Sequence, residues 1–282
     1  MKLFFKTSIE NTIKIFINLL HRSNIGRYVL DIINKHIIKR KKKVFYKDLN
    51  LTFYVPNRLS YYRADSFSTK EPETLSWIDS FDAKSTFWDI GANIGIYSCY
   101  AAKKKNCNVY AFEPSIFNLE WLGRNVQIND LINNITIIPI PLTKYVSKNT
   151  LNFSTTEWSG ALSTFGQNYG HDGKSIENVF KFSTIGLSMN DIKQNLEVPQ
   201  PNYIKIDVDG IEHLIIEGGE KVLSHTKELL VEINENFEEQ NNNSNKYLKQ
   251  FGFDLKEKKR SELFQNNKNF SSLYNQIWVK KK

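Results

Sequence analysis

Short apolar runs alternate with longer helical patterns between residues 86 and 140, and this alternation constrains the fold more than any other feature of the sequence. The runs at residues 87–90, 108–112 and 135–140 are predicted strands, and residues 96–103 and 116–128 are predicted helices. Strands that alternate with helices form a parallel sheet with helices on both faces. Ligands of such sheets bind at the carboxyl ends of the strands. The residues that follow the strands are therefore the first candidates for a binding site.

A glycine turn of the form G-x-N-x-G runs from Gly91 to Gly95, directly after the first predicted strand. Glycine has no Cβ, so the backbone at these two positions can turn sharply and a ligand can lie against it. Glu113 follows the next strand, where a carboxylate can bind two ribose hydroxyls. The structural alternative is that Asp89 and Asn93 only cap and turn the helix that follows.

This turn differs from a dinucleotide-binding loop. It lacks the third glycine of the G-x-G-x-x-G pattern, so the sequence predicts no cradle for a pyrophosphate. Asp89 would repel a phosphate but suits a positively charged amino-acid ligand. S-adenosylmethionine carries an ammonium and a sulfonium group, and the sequence therefore predicts it as the cofactor. The predicted cofactor-binding residues are Asp89, Gly91, Asn93, Gly95 and Glu113.

A second group of charged residues lies on the strand predicted at residues 203–210. Lys205, Asp207 and Asp209 point to one face of this strand, although a central parallel strand is normally apolar on both faces. Three buried charges are costly unless they are paired or functional. We therefore predict a catalytic role for Asp207, with Asp209 and Glu212 beside it and Lys205 tuning their charge.

Parts of this group also have structural interpretations. Asp209 and Glu212, three residues apart, resemble a capping box at the start of the next helix. Glu232, at the end of the following strand, could instead pair with Lys205. Asp207, Asp209 and Glu232 would also offer hard oxygen ligands, so a bound divalent metal is a variant of the site, although no metal-ligand motif supports it.

The positive charge of the chain is concentrated near its N-terminus. The 282 residues have a formal net charge of +8, but residues 1–47 contain twelve Lys and Arg against two acids. The other 26 basic and 28 acidic residues nearly balance, which argues against a nucleic-acid-binding domain. Two cysteines, Cys99 and Cys107, exclude a disulfide scaffold and favour the reducing cytoplasm. No apolar run reaches the roughly 18 residues of a membrane span.

Residues 8–38 carry apolar residues at helical spacing, and Asn24 and Gly26 are predicted to divide them into two helices. A basic cluster follows at residues 39–43. In one interpretation the helices dock on the main domain and the cluster is a solvated charge run. In the other, the cluster attaches the protein to an anionic membrane face.

The chain is predicted to have three regions, the third of which contains an insertion. Near the C-terminal end of the third region, the polar residues 238–245 are predicted as a loop before a short helix, and an antiparallel pair of strands follows. The insertion is rich in Gly, Ser and Asn, and it is predicted to form loops over the site that select the substrate. The regions are a basic helical segment (1–43), a hairpin and helix lead-in (44–82) and the main domain (83–282), which contains the insertion (142–187).

The predicted site residues lie in three sequence motifs. They are F-W-D-I-G-A-N-I-G at residues 87–95, F-E-P at residues 112–114 and I-K-I-D-V-D-G-I-E at residues 204–212. Together they resemble the FkbM-type methyltransferases, which are S-adenosylmethionine-dependent enzymes of the class I Rossmann-like fold. The resemblance covers residues 60–235, and residues 63–78 resemble the lead-in of one subgroup. The family usually has Glu where this chain has Asp209. The resemblance implies a mostly parallel seven-stranded α/β sheet with a C-terminal antiparallel hairpin, and cofactor contacts from Asp89, Gly91, Asn93 and Glu113.

The family mostly methylates hydroxyls of sugars, glycolipids or polyketides. We therefore expect an O-methyltransferase that acts on a hydroxyl of a sugar or glycoconjugate, located in the cytoplasm or at the inner membrane face. Asp207 would take the hydroxyl proton or orient the hydroxyl, while Asp209 and Glu212 hold Asp207 or the acceptor. The alternatives are an N-methyltransferase that acts on an amine, and a non-catalytic nucleotide-binding protein attached to a membrane through residues 1–47.

Overall fold

The computed structural model of the chain describes residues 2–260 and 272–281, with side chains from residue 7 onward. The helices are α1 (Lys2–His21), α2 (Asn24–Ile37), α3 (Arg58–Asp65), α4 (Phe67–Lys70), α5 (Pro72–Asp79), α6 (Ile96–Lys105), α7 (Ile116–Ile128), α8 (Met189–Asn195), α9 (Glu212–Glu217), α10 (Glu220–Leu223) and α11 (Glu238–Gln250). The strands are β1 (Lys41–Tyr46), β2 (Leu49–Tyr54), β3 (Thr86–Ile90), β4 (Asn108–Phe112), β5 (Ile135–Ile138), β6 (Ser147–Phe153), β7 (Ser163–Phe165), β8 (Phe180–Gly186), β9 (Tyr203–Ile206), β10 (Glu228–Asn234), β11 (Phe253–Lys259) and β12 (Leu273–Lys280).

The main sheet has seven strands in the order β11-β12-β10-β9-β3-β4-β5. The five strands from β10 to β5 are parallel, whereas β12 pairs antiparallel with both β10 and β11. This mostly parallel sheet confirms the predicted fold class; residues 261–271, between β11 and β12, lie outside the described residues. Because β9 and β4 flank β3 on opposite sides, the residues after these three strands meet at one edge of the sheet.

The sheet is buried on both faces because its strands carry apolar residues at successive positions. Phe87 and Val109 pack in one layer with α5, α6, α7 and β2. Trp88 and Ile204 pack in the opposite layer with α8 to α11. The side chains of a strand alternate between its two faces, so neighbouring residues of β3 enter different layers.

A second sheet lies in the segment between β5 and α8, with three antiparallel strands in the order β7-β6-β8. The prediction of loops throughout residues 142–187 is therefore wrong for these strands. Leu151, Phe153 and Phe165 are buried, and they pack in the same layer as Trp88. The many Gly, Ser and Asn residues of the segment hide these apolar positions in the sequence.

The N-terminal helices divide at a different point from the one predicted. The side chain of Ser23 caps α2 by accepting a hydrogen bond from the Gly26 N–H at 2.9 Å. Asn24 and Gly26 therefore lie in the first turn of α2 rather than between the helices. Of the helices in the described part of the chain, none combines the length and the apolar composition that crossing a membrane requires.

The basic cluster at residues 39–43 runs into a strand. Lys41, Lys42 and Lys43 begin β1, which pairs with β2, so the hairpin starts earlier than predicted. Side chains alternate along β1, and Lys42 forms an ion pair with Asp65 at 2.7 Å while Lys41 and Lys43 are exposed. The cluster is therefore only partly a solvated charge run.

The segment predicted as a polar loop before a short helix forms one continuous helix, α11. Gln240, Ser244 and Leu248 recur every four residues along it, and all three are buried. The helix therefore buries a stripe in which two of the three residues are polar, and a search for apolar periodicity does not find it.

Candidate active site

A cavity of about 290 Å³ opens at the carboxyl ends of β3, β4, β9 and β10. It lies where the order of the parallel strands reverses, which is where ligands of such sheets bind. Its apolar wall includes Ile90, Phe112, Pro114, Ile140, Leu142 and Leu162. The acidic and basic residues on the wall are Arg63, Lys70, Glu113, His171, Asp207, Asp209 and Glu232.

The glycine turn after β3 packs directly against the end of β9. Gly91 has a φ of +87°, and a Cβ at this position would lie 1.9 Å from the backbone oxygen of Asp207. The N–H groups of Gly91 and Ala92 both donate to the Phe112 carbonyl at 3.0 Å, which ties the turn to the end of β4. Only glycine fits at position 91, because a side chain there would collide with backbone.

Glu113 directly follows β4 and lines the cavity. Its carboxylate oxygens accept hydrogen bonds from the backbone N–H groups of Asn93 at 2.7 Å and Ser115 at 2.8 Å. Burial raises the pKa of Glu113 to about 7, although these hydrogen bonds favour its charged form. The side chain of Asn118 also donates a hydrogen bond to this carboxylate and favours its charged form. A carboxylate has acceptor capacity beyond these bonds, so Glu113 can still accept a hydrogen bond from a ligand in the cavity.

Asp89 and Gly95 lie beneath the turn rather than on the cavity wall, and this corrects their predicted placement. Asp89 is 1% exposed; one carboxylate oxygen accepts a hydrogen bond from the Ser98 hydroxyl, and the other has no hydrogen-bond partner among the described residues. Burial raises the pKa of Asp89, and Lys205 partly offsets this effect. Gly95, with a φ of +82°, is the N-cap of α6 and lies beside Leu122. Of the predicted cofactor residues, Gly91, Asn93 and Glu113 line the cavity.

Asp207 follows β9 instead of lying within it, and its N–H donates to the Ile90 carbonyl at 3.0 Å. Lys205 is 1% exposed, and its Nζ lies 2.6 Å from Oδ2 of Asp207. Burial opposes the charge on Asp207, but Lys205 and Lys70 outweigh it and lower the pKa of Asp207 to about 2. The structural alternative, in which Lys205 pairs with Glu232, is not what the structure shows, because Asp207 is the ion-pair partner of Lys205.

A second buried ion pair lies near the first. Nζ of Lys70 is 2.5 Å from Oε1 of Glu71, which is 2% exposed. Burial opposes the charge on Glu71, but Lys70 and Lys205 lower the pKa of this carboxyl. Burial and the charge of Asp207 raise the pKa of Glu232 well above its ordinary value. Glu232 is therefore the carboxyl of this group that holds a proton most readily.

Arg63, in α3, lies on the same part of the wall as Lys70 and Asp207. Its Nε donates to the Ser159 carbonyl at 2.8 Å. In the part of the chain that the structure describes, no carboxylate forms an ion pair with Arg63. A guanidinium on a cavity wall without a carboxylate partner suits a ligand that carries an anion.

Residues 158–163, which we call the strap, border the cavity between the ends of β3 and β9. The Gly160 carbonyl accepts a hydrogen bond from Nδ2 of Asn93 at 2.8 Å. The Leu162 N–H donates to Oδ2 of Asp209 at 2.7 Å, and Asp209 has a φ of +63°. Hydrogen bonds at Gly160 and Leu162 therefore hold the strap to residues that follow strands of the main sheet.

Asp209 and Glu212 do not form the capping box that the sequence offers as an alternative. Glu212 is 1% exposed, and its carboxylate accepts hydrogen bonds from the N–H groups of Val208 at 3.0 Å and Gly210 at 3.1 Å, and from the side chain of Gln240. Burial raises the pKa of Glu212 to about 7. Glu212 supports the turn that carries Asp209, and it is not on the cavity wall.

Asp207, Asp209 and Glu232 all line the cavity, but their arrangement does not favour the metal variant. Within residues 2–260 and 272–281, no three His, Cys, Asp or Glu side chains are grouped so that they could hold a metal ion. Oδ2 of Asp207 is paired with Lys205, and Oδ2 of Asp209 accepts the Leu162 N–H.

Two further wall residues received no role from the sequence. Asn118, in α7, donates to the Gly160 carbonyl at 3.1 Å and is 3% exposed. His171 belongs to the insertion, and it partly offsets the effect of burial and of Asp207, which together raise the pKa of Asp209. Neither residue lies in a motif, and only the tertiary fold brings them to the site.

The chain matches the model of the FkbM methyltransferase domain over residues 89–255, which is more than half of its length. It therefore belongs to the FkbM methyltransferase family, and it is an enzyme of the methyltransferase class with a Rossmann-like fold. The family assignment confirms the resemblance found in the sequence.

Known proteins share parts of this sequence and fold. The hexuronic acid methyltransferase AglP of Haloferax volcanii is 30% identical over 156 residues, which are 55% of this chain and 59% of that protein. The chain thus matches about three fifths of the length of this relative. A putative rRNA methylase from Clostridium thermocellum shares 12% identity and a TM-score of 0.48 over 76% of this chain and 97% of the other. The precorrin-6y C5,15-methyltransferase of Geobacter metallireducens shares 14% identity and a TM-score of 0.44 over 75% and 87% of the two chains.

Proposed function

We propose that this methyltransferase transfers a methyl group from S-adenosylmethionine to a hydroxyl of a sugar or glycoconjugate. The observation that carries the proposal is the position of Asp207, which has an ion-paired carboxylate on the cavity wall and a backbone that packs against the Gly91 turn. A carboxylate beside the bound cofactor suits an acceptor that must lose a proton as it gains the methyl group.

The residues around the Gly91 turn fit S-adenosylmethionine. Glu113 lines the cavity with acceptor capacity left for a ribose hydroxyl, and the apolar wall suits an adenine ring. Asn93 and Gly91 line the cavity beside Glu113, in a turn whose backbone is fixed by its hydrogen bonds. The bound cofactor supplies a methyl group on a positively charged sulfur, which an oxygen nucleophile can attack.

Asp207 suits the orientation of the acceptor hydroxyl better than early proton removal. With a pKa of about 2 it stays ionised at any usable pH, and it can always accept a hydrogen bond from the hydroxyl. A hydroxyl proton becomes strongly acidic as its oxygen bonds to carbon, so even this weak base can receive it late in the reaction. Oδ2 pairs with Lys205, which leaves Oδ1 for the acceptor. Lys205 is then a positioning residue that fixes the carboxylate.

We further propose that the acceptor sugar carries a carboxylate. Arg63 has no carboxylate partner among the described residues, and it lies on the wall beside Asp207. The relative AglP is named a hexuronic acid methyltransferase, and a hexuronic acid combines hydroxyl groups with a carboxylate. A planar guanidinium binds such a carboxylate through two hydrogen bonds.

The chemistry can be tested with isotope-labelled S-adenosylmethionine and three acceptors: a uronic acid glycoside, the neutral glycoside with the same hydroxyls, and the matching amino sugar. We expect label on the uronic acid glycoside in an alkali-stable form, because a methyl ether resists alkali. An alkali-labile product would place the methyl group on the carboxylate. Transfer to the amino sugar alone would instead support N-methyl transfer.

The role of Arg63 can be tested by Arg63→Met, with Arg58→Met on the same helix as a control because Arg58 is exposed. We expect the acceptor KM to rise about 10- to 150-fold in Arg63→Met, since hydrogen bonds to charged groups are worth about 1.5–3 kcal/mol. The cofactor Kd should not change. A weaker cofactor Kd with an unchanged acceptor KM would assign Arg63 to the amino-acid carboxylate of the cofactor.

We also propose that different regions of the chain have different roles. Residues 83–282 form the methyltransferase domain, residues 44–82 supply Arg63, and the insertion at residues 142–187 selects the acceptor through the strap. Contacts of the strap with Asn93 and Asp209 support this assignment. Both cysteines are buried and free, which supports a location in the reducing cytoplasm.

A further inference from the structure

The helices α1 and α2 carry a large apolar surface that is open to solvent. Between residues 7 and 37, every residue is exposed except Leu20, Gly26 and Leu30. Twelve large apolar side chains are among the exposed residues, and Ile25 is the most exposed of them at 78%. An apolar surface of this extent usually marks a site where another surface docks.

Apolar residues predominate on one face of each helix. In α1, Ile9, Ile13 and Phe16 follow the spacing i, i+4, i+7, while Lys14 and Asn18 lie on the opposite face. The same arrangement recurs in α2, where the apolar residues Ile25, Val29 and Ile32 oppose the polar residues Arg27, Asp31 and Lys35.

The two helices contact each other at their junction and the main domain after the end of α2, and their apolar faces stay exposed to solvent. α1 and α2 are in close backbone contact where they join. A Cβ at Gly26 would lie only 2.0 Å from the backbone oxygen of Leu20. The attachment to the main domain begins at Ile38, which packs on the core, and the Arg40 carbonyl accepts a hydrogen bond from the Val55 N–H at 2.8 Å. Most helical stability in proteins comes from packing of an amphipathic face, so a surface that covers the apolar faces would stabilise the two helices.

We propose that α1 and α2 dock on an anionic lipid bilayer and lie in its interface, with their apolar faces toward the acyl chains. Residues 1–47 contain twelve basic and two acidic residues, a net charge of +10. This charge complements anionic headgroups, whereas a second copy of the same segment would bring like charges together. An apolar face opposite a polar face that carries Lys14, Arg27 and Lys35, in helices too short or too polar to span, is the pattern of interfacial helices.

The beginning of β1 extends the cationic surface. Lys41 and Lys43 are exposed, whereas Lys42 is neutralised by Asp65. Docking therefore depends on both helices and on the outward lysines of β1, rather than on the basic cluster alone. This proposal is independent of the acceptor and of the site residues.

The test is co-sedimentation of the full chain with vesicles of phosphatidylcholine, with and without phosphatidylglycerol, at low and high salt. We expect binding only to the anionic vesicles and a steep loss of binding with added salt. The double variant Ile13→Ser and Phe16→Ser should bind about tenfold more weakly or worse, because it removes two apolar side chains from the bilayer. The matched control is Asn11→Ser with Asn18→Ser on the polar face of α1, which should bind like the unaltered chain.

Cofactor binding by calorimetry shows whether each variant is folded, and light scattering gives its oligomeric state. The proposal is overturned if the unaltered chain ignores anionic vesicles at low salt, or if it binds neutral vesicles equally well. It is also overturned if the chain is a dimer that the apolar double variant dissociates, since the apolar faces would then cover each other.

Discussion

Glu113 and Asp207 follow the two strands that flank β3, at the same edge of the sheet, but the protein surrounds them differently. The carboxylate of Glu113 is held by two backbone N–H groups, at 2.7 and 2.8 Å, and burial raises its pKa to about 7. The carboxylate of Asp207 is also largely buried, but the ammonium groups of Lys205 and Lys70 lower its pKa to about 2. The difference arises because β9 carries a buried lysine two residues before its acid, whereas β4 carries none.

The comparison divides the cavity into two halves with different chemistry. Around Glu113 the protein offers hydrogen-bond acceptors without strong fixed charge, which suits the neutral hydroxyls of a ribose. Around Asp207 it offers fixed charges of both signs, which suits a reacting hydroxyl and an anionic substituent. A change confined to one half should therefore leave the property that depends on the other half unaltered.

The largest effect is expected for Asp207→Asn, which keeps the shape of the side chain and removes its charge. If Asp207 orients the hydroxyl and receives its proton, kcat should fall about 10²- to 10⁴-fold. The cofactor Kd should stay within twofold or so, because Glu113 and the Gly91 turn are unchanged. Asp254→Asn is the control, since Asp254 is 69% exposed on β11. Turnover near that of the unaltered enzyme would remove Asp207 from the mechanism.

The next largest effect is expected for Lys205→Met, which leaves the Asp207 carboxylate without its partner. Breaking a buried ion pair at one partner costs about 3–5 kcal/mol, and the free energy of unfolding from urea denaturation should fall by this order. The control is Lys104→Met, which breaks the surface pair of Lys104 with Asp48 and should cost about 1 kcal/mol or less. Adding Asp207→Asn to Lys205→Met should restore part of the loss, and strict additivity would show that the two side chains are not coupled.

The strands and helices that form the Glu113 half of the cavity could be predicted, because each is marked by a local sequence pattern. The strands and helices from β3 to β5 lie within two residues of their predicted ranges, and each is marked by its own apolar period. Gly91 was also predictable as a turn residue, although the structure supplies the reason: the backbone of Asp207 leaves no room for a Cβ.

The charge environment of the Asp207 half of the cavity could not be predicted, because it depends on residues that are distant in sequence. The sequence places Lys205 and Asp207 on one strand but does not show that Lys70 adds a second charge from α4, or that Arg63 borders the same wall. The strap is hidden for a similar reason: Leu162 contacts Asp209 across 47 positions of sequence. Side chains fixed by such contacts carry no local period.

A smaller effect is expected for Glu113→Gln, which keeps the size of the side chain but replaces one acceptor oxygen by a donor. A hydrogen bond to a charged group contributes about 1.5–3 kcal/mol, so the affinity for S-adenosylmethionine should fall about 10- to 150-fold. Once the variant is saturated with cofactor, kcat should be nearly unchanged, because the Asp207 half is intact. Calorimetry measures the affinity, and unchanged affinity would show that Glu113 does not contact the cofactor.

The smallest effect is the pH dependence of the unaltered protein. Because the pKa of Glu113 is about 7, its ionised fraction rises from about one tenth near pH 6 to about nine tenths near pH 8. If the ionised carboxylate accepts the ribose hydroxyls, the cofactor affinity should increase about tenfold from pH 6 to pH 8 or so. In Glu113→Gln this dependence should disappear.

The stability of the cofactor-free protein should change with pH in the opposite direction. The pKa of Glu113 is raised in the folded state, so this group contributes stability that is fully present below the ordinary carboxyl pKa and is lost as the pH rises through 7. Glu212 shifts in the same direction but lies off the cavity wall, so the slope should shrink in Glu113→Gln without vanishing. Urea denaturation from pH 5 to pH 8 or so measures this slope. If affinity and stability rose together with pH, the ionised form of Glu113 would be favoured by the fold itself, and the contrast with Asp207 would be lost.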